Sequence, residues 1–189
     1  MPRKRKPSAT YAFIDSQNLN LGTQRMGWKM DWRRFRQFLR DEYGAINAYM
    51  FIGYMSENEQ LYEYMHELGY LVVLKPTVDV AAKPSLLDEK ETGGPRTAEA
   101  KEKPQVKGNV DAELVLYAMK ELPNYDQAII VSGDGDFLGL AEYLDEQGKL
   151  ACIMTPNWQY SSLLKPLESK IIRLDKKRRQ LAYHDRRRK

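Results

Sequence analysis

The sequence predicts an α/β protein in which a mainly parallel sheet is covered by helices on both faces. Five short apolar runs alternate along the chain with segments whose apolar residues recur at helical spacing, a pattern typical of successive β-α-β units. With 189 residues the chain is long enough for one domain with a substantial core, and it contains no internal repeat.

The first half of the chain predicts three strands, each rich in β-branched or aromatic residues. These strands cover residues 11–14, 48–52 and 70–74. A short helix or loop follows the first strand, and Asp31 is expected to cap a longer helix whose apolar residues share one face. Ser56 and Glu59 are spaced as a capping box, which predicts a helix that continues to Gly69.

The second half repeats the alternation after an interruption. Residues 76–108 are rich in proline, glycine and charge and poor in bulky apolar groups, which predicts a mobile insertion. Helical spacing returns from Val110 to Leu122 and again from Phe137 to Leu144. Strands are predicted at residues 127–131 and 149–154, followed by a helix at 157–164 and a short last strand at Ile171 and Ile172.

The charges are distributed unevenly. The N-terminal tail, residues 1–9, carries Arg3, Lys4, Arg5 and Lys6 and no acid. Residues 173–189 have a net charge of +7, so a chain of net charge +4 with +4 at its N-terminus leaves −7 for residues 8–172. We therefore expect a globular domain at 10–175 between two basic tails, the second running from Lys176 to Lys189. Basic tails of this kind contact nucleic-acid phosphates, although they can also serve solubility alone.

Several classes of protein are excluded by composition. The only cysteine, Cys152, lies in an apolar run, so an internal disulfide or multi-cysteine zinc site is excluded and a buried side chain is expected. Two histidines are too few for most histidine-metal sites, and no nucleotide-binding glycine motif follows a strand. No apolar stretch reaches the roughly 20 residues of a membrane span, and no secretory signal is present. A cytoplasmic protein without membrane contact is expected.

Four aspartates occupy the positions where a doubly wound sheet places its ligands. Asp15 ends the first strand, Asp134 and Asp136 follow the fourth strand, and Asp111 begins the helix that leads into the fourth strand. If the strand order is 3-2-1-4-5, these positions meet at the carboxyl edge where the order reverses. Each aspartate alone is also a common turn or helix-start residue. Together their charges predict a site for a hard divalent cation, Mg²⁺ or Mn²⁺, at which a metal-activated water attacks phosphorus.

Three sequence blocks carry a family resemblance. FIDSQN at 13–18, KGNVD at 107–111 and VSGDGDF at 131–137 resemble the motifs of the NYN domain, in the LabA-like branch of the PIN-like nuclease superfamily. The resemblance implies a Rossmann-like three-layer α/β/α sandwich and RNA cleavage by the four aspartates. It also implies that Asn18 and Ser132 bind a ligand or substrate beside them. Ser16 and Gly135 depart from the family's frequent residues, and Asn109 lengthens the second block.

Further candidates for substrate binding are a lysine and the tryptophans. Lys107 is expected either to touch phosphate or to be one lysine among many in the insertion. Trp28, Trp32 and Trp158 have the chemistry to stack on bases, but Trp32 fits the buried helix face, and Trp158 fits packing and base contact equally.

The leading hypothesis is a metal-dependent ribonuclease, endonucleolytic, acting on single-stranded or structured RNA. The alternative is a non-catalytic RNA- or protein-binding regulatory module on the same fold. A small-molecule phosphatase is a weaker third reading, because Asp15 is followed by Ser16 and Gln17 rather than by an aspartyl-nucleophile motif. A homodimer is also possible under the resemblance.

Overall fold

A six-stranded parallel sheet forms the centre of the protein, with the order β3-β2-β1-β4-β5-β6. The computed structural model describes residues 9–75 and 110–184. The strands are β1 Thr10–Asp15, β2 Ala45–Gly53, β3 Leu71–Lys75, β4 Gln127–Val131, β5 Leu150–Thr155 and β6 Ile171–Arg173. The predicted parallel sheet and the predicted order of its first five strands are therefore confirmed.

Helices connect the strands over both faces. They are α1 Ser16–Arg25, α2 Trp32–Tyr43, α3 Glu59–Glu67, α4 Asp111–Lys120, α5 Leu138–Glu146 and α6 Arg178–Leu181. Short 3₁₀ segments lie at Ser56–Asn58, Gly135–Phe137, Ser162–Lys170 and Leu174–Lys177. The strand order reverses between β1, which is followed by α1, and β4, which is followed by Gly135–Phe137, so the predicted switch point lies between these two strands.

Alternation along the strands divides the core into two layers. In β1, Ala12 and Ile14 face one apolar cluster while Tyr11 and Phe13 face the other, as the two-residue period of a strand requires. The first cluster is closed by α1, α2, α3 and α6, and the second by α4 and α5. The three-layer α/β/α architecture follows from this arrangement.

Local signals in the sequence had mixed success. Asp31 caps α2 by accepting a hydrogen bond from the Arg34 amide at 3.1 Å, as predicted. The capping box at Ser56 was wrong: Ser56 begins a 3₁₀ segment, and α3 starts only at Glu59. Side-chain contacts explain the difference, because the Tyr62 hydroxyl accepts from the Met55 amide at 2.9 Å and the Tyr54 hydroxyl donates to the Glu59 carboxylate at 3.3 Å.

Part of the predicted C-terminal tail is packed on the domain. Leu174–Lys177 and α6 form two short helical segments, and Leu181 is fully buried in the first core cluster. Ala182 forms an antiparallel bridge with Met30. The basic side chains of this segment are therefore held at fixed positions as far as residue 184.

Other predictions lie outside the described residues. These are the N-terminal basic residues Arg3 to Lys6, the insertion at 76–108 with Lys107, and residues 185–189. Among the helices of the described ranges, none is long and apolar enough to cross a membrane.

Candidate functional site

The site lies at the carboxyl ends of β1 and β4. The two strands are paired so that Ile14 lies opposite Val131, which places the residues that follow each strand side by side. Asp15 and Ser132 thus meet although they are 117 residues apart in the chain. The Ser132 hydroxyl donates to Asp15 Oδ2 at 3.1 Å. The sheet register, rather than any local motif, brings the two together.

Asp15 is a buried carboxylate whose two oxygens both accept hydrogen bonds. Only 5% of the residue is exposed. Its Oδ1 accepts from the Asn18 amide at 3.0 Å, which caps α1, and its Oδ2 accepts from Ser132. Burial raises the pKa of Asp15 above the ordinary value of 3.8, the nearby charge of Asp134 raises it further, and the bonds from Asn18 and Ser132 oppose this shift.

Asn18 and Ser132 connect the ends of the two strands. The Asn18 side-chain oxygen accepts from the Gly133 amide at 2.9 Å, which links α1 to the turn after β4. The Ser132 hydroxyl donates to Asp15 and also accepts from the Asp134 amide at 3.1 Å. Both oxygens that the sequence assigned to a ligand or substrate therefore also hold the turn in place. Ser132 acts on the carboxylates by positioning them.

Asp134 and Asp136 have different surroundings. Asp134 is half-buried and caps the 3₁₀ segment by accepting from the Asp136 amide at 3.1 Å. Asp136 is exposed. The charge of Asp134 acts on Asp15, whereas that of Asp136 is not among the causes that shift the pKa of Asp15. Of the two aspartates in the turn, Asp134 is the one coupled to the buried carboxylate.

Asp111 begins α4, as the sequence predicted, and is half-buried there. Helix α4 packs against β1 and against Gly135–Phe137, so its first residue lies at the same edge of the sheet. We call Asp15, Asp111, Asp134 and Asp136 the acidic edge. Glu113, in the first turn of α4, forms an ion pair of 2.8 Å with Lys75 at the end of β3. The sequence reading missed this pair, although Lys75 directly follows a predicted strand.

The loop after β5 is the second structural element of the site. The Ser161 amide donates to the Gly133 carbonyl at 2.9 Å, and Asn157 donates from Nδ2 to the Gly22 carbonyl in α1 at 2.8 Å. A Cβ on Gly135 would lie 2.4 Å from Ser161 Oγ, and one on Gly22 would lie 2.4 Å from Pro156 Cβ. These glycines are required by the loop that packs on them, and residues 157–161 do not form the predicted helix.

Two candidate contacts for substrate lie near this loop. Trp158 is 57% exposed, so the packing alternative is wrong and its ring is accessible. A cavity of about 110 Å³ is lined by Asn18, Gly133, Asn157 and Arg25, among others. Arg25, the exposed last residue of α1, was missed by the sequence reading because nothing before the fold relates it to Asn18.

The oxygen-rich donors of the acidic edge suit a hard cation in chemistry, but only a pair of them is closely coupled. Within residues 9–75 and 110–184, no group of three or more His, Cys, Asp or Glu side chains is arranged to hold a metal ion. Mg²⁺ is commonly bound through one or two carboxylates, with waters and substrate phosphate oxygens completing its shell. Asp15 and Asp134 fit that mode.

The sheet order, the three layers and the acidic residues at the switch point define a protein of PIN-like α/β fold. The sequence model of the NYN domain matches residues 9–165, and the chain belongs to this family, which is a family of PIN-like nucleases. The chain is similar to the Low amplitude and bright protein LabA of Synechococcus elongatus, with 29% identity over 143 residues that cover 74% of this chain and 69% of LabA. The resemblance to the LabA-like branch is confirmed.

A solved structure supports the fold. The crystal structure of a protein of unknown function from Vibrio parahaemolyticus matches with a TM-score of 0.69 and 19% sequence identity. The match covers 96% of this chain and 100% of the other. At this identity the likeness concerns the fold alone.

Proposed function

We propose that this protein is a ribonuclease that hydrolyses phosphodiester bonds at the acidic edge with a divalent cation, Mg²⁺ or Mn²⁺. The observation that carries the proposal is the coupling of Asp15 and Asp134 across two neighbouring strands. A buried carboxylate beside a second carboxylate is unfavourable unless a proton or a cation neutralises the pair. Membership of a PIN-like nuclease family supports the same conclusion.

The chain's own groups have separate tasks in this proposal. Asp15 and Asp134 would hold the cation, which when bound supplies an activated water and stabilises charge at phosphorus. Ser132 keeps the two carboxylates in position through its bonds to Asp15 and to the Asp134 amide. Asp111 and Asp136, at the margin of the pair, would act through water or on the substrate.

The phosphate of the substrate has donors beside the acidic pair. The Asn18 oxygen is used by the Gly133 amide, so its amide nitrogen is left to donate to a phosphate oxygen. Arg25 lines the same small cavity and adds a positive charge that balances the acidic edge toward a polyanion.

Single-stranded RNA fits the surface on the other side of α1. A cavity of about 370 Å³ lies next to Ser16 and Gln17, which directly follow Asp15. Its wall includes the apolar side chains of Trp32, Met50 and Ile52. An unpaired base offers a flat ring that such a wall accepts, whereas the bases of a duplex are stacked and out of reach.

The test is incubation of labelled RNA and DNA with wild-type protein and with Asp134→Asn, each in Mg²⁺, Mn²⁺ or EDTA. We expect cleavage of RNA by the wild type only with metal, and at least about 100-fold slower cleavage by the variant. Gln147→Ala, which changes an exposed residue beyond α5, serves as a control that should cleave normally. Cleavage in EDTA, or undiminished cleavage by Asp134→Asn, would refute the mechanism.

The second candidate is a non-catalytic module that binds RNA or a protein through this fold. It is favoured by the absence, in the described ranges, of a group of three acidic side chains arranged around one point. It predicts RNA binding that persists in EDTA and in Asp134→Asn, with no product in any metal. The same set of reactions, followed by a binding measurement, separates the two candidates.

A further inference from the structure

A second cavity lies away from the acidic edge, between the end of α1 and the C-terminal segment. Its volume is about 540 Å³. Hydrogen bonds hold its two sides together: the Asp31 amide donates to the Leu181 carbonyl at 2.8 Å, and the Tyr183 amide donates to the Lys29 carbonyl at 2.9 Å. Leu181 is fully buried and fixes the C-terminal side to the core. The cavity is therefore a built feature of the fold.

Its lining is cationic. We call it the basic cavity and define it by Trp28, Lys29, Arg178, Arg179 and His184. No Asp or Glu is among the described residues that line it. Within the described part of the chain, the three Lys and Arg side chains form no ion pair with a carboxylate. Arg178 donates from Nη2 to the Gly27 carbonyl at 3.2 Å, which leaves its other donors available.

Trp28 adds an independent observation. Only 6% of this residue is exposed, and its indole Nε1–H has no hydrogen-bond acceptor among the described residues. A buried donor without a partner costs about 1–3 kcal/mol. A ligand with acceptor oxygens in the cavity that Trp28 lines would remove this cost.

We propose that the basic cavity binds a phosphate group of the RNA backbone. A phosphate combines negative charge for Lys29, Arg178 and Arg179 with oxygen acceptors for the Trp28 indole. The sequence beyond His184 continues with Arg186, Arg187, Arg188 and Lys189, so the positive charge extends along the chain from this point. The identity of the ligand rests on the proposed function, but binding here requires no catalysis.

The experiment measures binding of a fluorescein-labelled single-stranded RNA to the full chain, with Asp134→Asn present throughout so that RNA stays intact. Adding Arg178→Gln and Arg179→Gln should weaken binding about tenfold and reduce the slope of log affinity against log salt by about 1.4, since each lost phosphate contact contributes about 0.7 for a single strand. Arg40→Gln with Lys120→Gln removes the same charge at exposed residues in the last turns of α2 and α4, and should change affinity less than about twofold.

Trp28→Phe provides a second, uncharged test. It keeps an aromatic ring in the core but removes the indole donor, so RNA affinity should fall about threefold while the melting temperature stays equal or rises. A fall in melting temperature with no change in affinity would assign Trp28 a purely structural role and contradict the proposal.

Two further outcomes are decisive. Equal affinity of the Arg178/Arg179 variant and the charge-matched control would overturn the inference, and leave the proposed cleavage at the acidic edge untouched. A second arm adds inorganic phosphate or chloride at the same ionic strength to the RNA complex. Equal displacement supports a backbone phosphate, whereas much stronger displacement by phosphate would mean that the cavity binds a free phosphate group instead.

Discussion

The acidic edge and the basic cavity are held in place in different ways. The carboxylates of Asp15 and Asp134 are fixed by short side chains, hydrogen bonds and the register of two paired strands. The cations of Arg178 and Arg179 stand on long exposed side chains whose backbone alone is anchored. Charge placed on a rigid strand end can act on one atom, and charge on a flexible stem can act on a polyanion as a whole. The edge should therefore be sensitive to atomic change and the cavity to total charge.

The largest effect is expected for Asp15→Asn. This isosteric change removes the buried charge and should slow cleavage at least about 100-fold. Burial raises the pKa of Asp15 above 3.8, so its ionisation opposes folding at neutral pH. Removing the charge should then raise the melting temperature by about 2–4 °C, the shift that about 1 kcal/mol produces in a protein of this size.

The pH dependence of that gain follows from its sign. A carboxyl group with a raised pKa in the folded state favours folding while it is protonated and loses this advantage as pH rises through its folded pKa. The difference between Asp15→Asn and wild type should thus be largest near neutral pH and vanish below 3.8. Melting curves across this range, with and without Mg²⁺, provide the check, and Mg²⁺ should stabilise only the wild type. A gain independent of pH would assign the effect to packing.

A second prediction tests the rigidity of the edge. Gly22→Ala should destabilise the protein by about 2–3 kcal/mol, because its Cβ would lie 2.4 and 2.7 Å from the ring carbons of Pro156. The proline ring cannot rotate away, so the loop after β5 must shift. Gly139→Ala in α5 is the matched control: nothing lies within 4 Å of its Cβ position, and it should stabilise by about 0.5 kcal/mol. Urea unfolding measures both, and equal effects would contradict the close packing of this loop.

Ser132→Ala should have a smaller effect on stability. It removes a donor from Asp15 and leaves the buried end of the Asp134 amide without its acceptor, at a cost of about 1–2 kcal/mol. The Ser132 bond lowers the pKa of Asp15, so its loss should raise that pKa further. Carboxyl NMR titration of Asp15 measures the change, with the exposed Ser162→Ala as control. An unchanged titration would separate Ser132 from the acidic edge.

The sequence predicted the acidic edge well because its parts are set by strand order. Asp15, Asp134 and Asp111 were assigned to one edge from the ends of strands and the start of a helix, and each position follows from the parallel topology. Helix boundaries marked by a single dominant signal, such as the Asp31 cap or the positive φ of 85° at Gly69, were equally accessible.

Contacts between distant segments were not accessible from the sequence. The loop after β5 was predicted as a helix, but Asn157 is fixed by the Gly22 carbonyl and Ser161 by the Gly133 carbonyl, both more than twenty residues away in the chain. Local propensity contains no information on such partners. The basic cavity was missed for the same reason, since Lys29 and Arg178 meet only after α6 packs on the domain.

The smallest predicted effect belongs to the cavity. Arg178→Lys keeps the charge but replaces the planar guanidinium, and the affinity for single-stranded RNA should change less than about threefold because counterion release depends on charge. Asp134→Glu at the edge also keeps its charge, yet the longer side chain displaces the carboxylate from the Asp136 amide that it caps at 3.1 Å. Cleavage should fall at least about 100-fold, as expected when a reacting geometry shifts by about 1 Å. Comparing RNA affinity for the first variant with cleavage rate for the second tests whether geometry governs one region and charge the other. A large loss of affinity in Arg178→Lys would show that the cavity, too, recognises its phosphate by a fixed arrangement of donors.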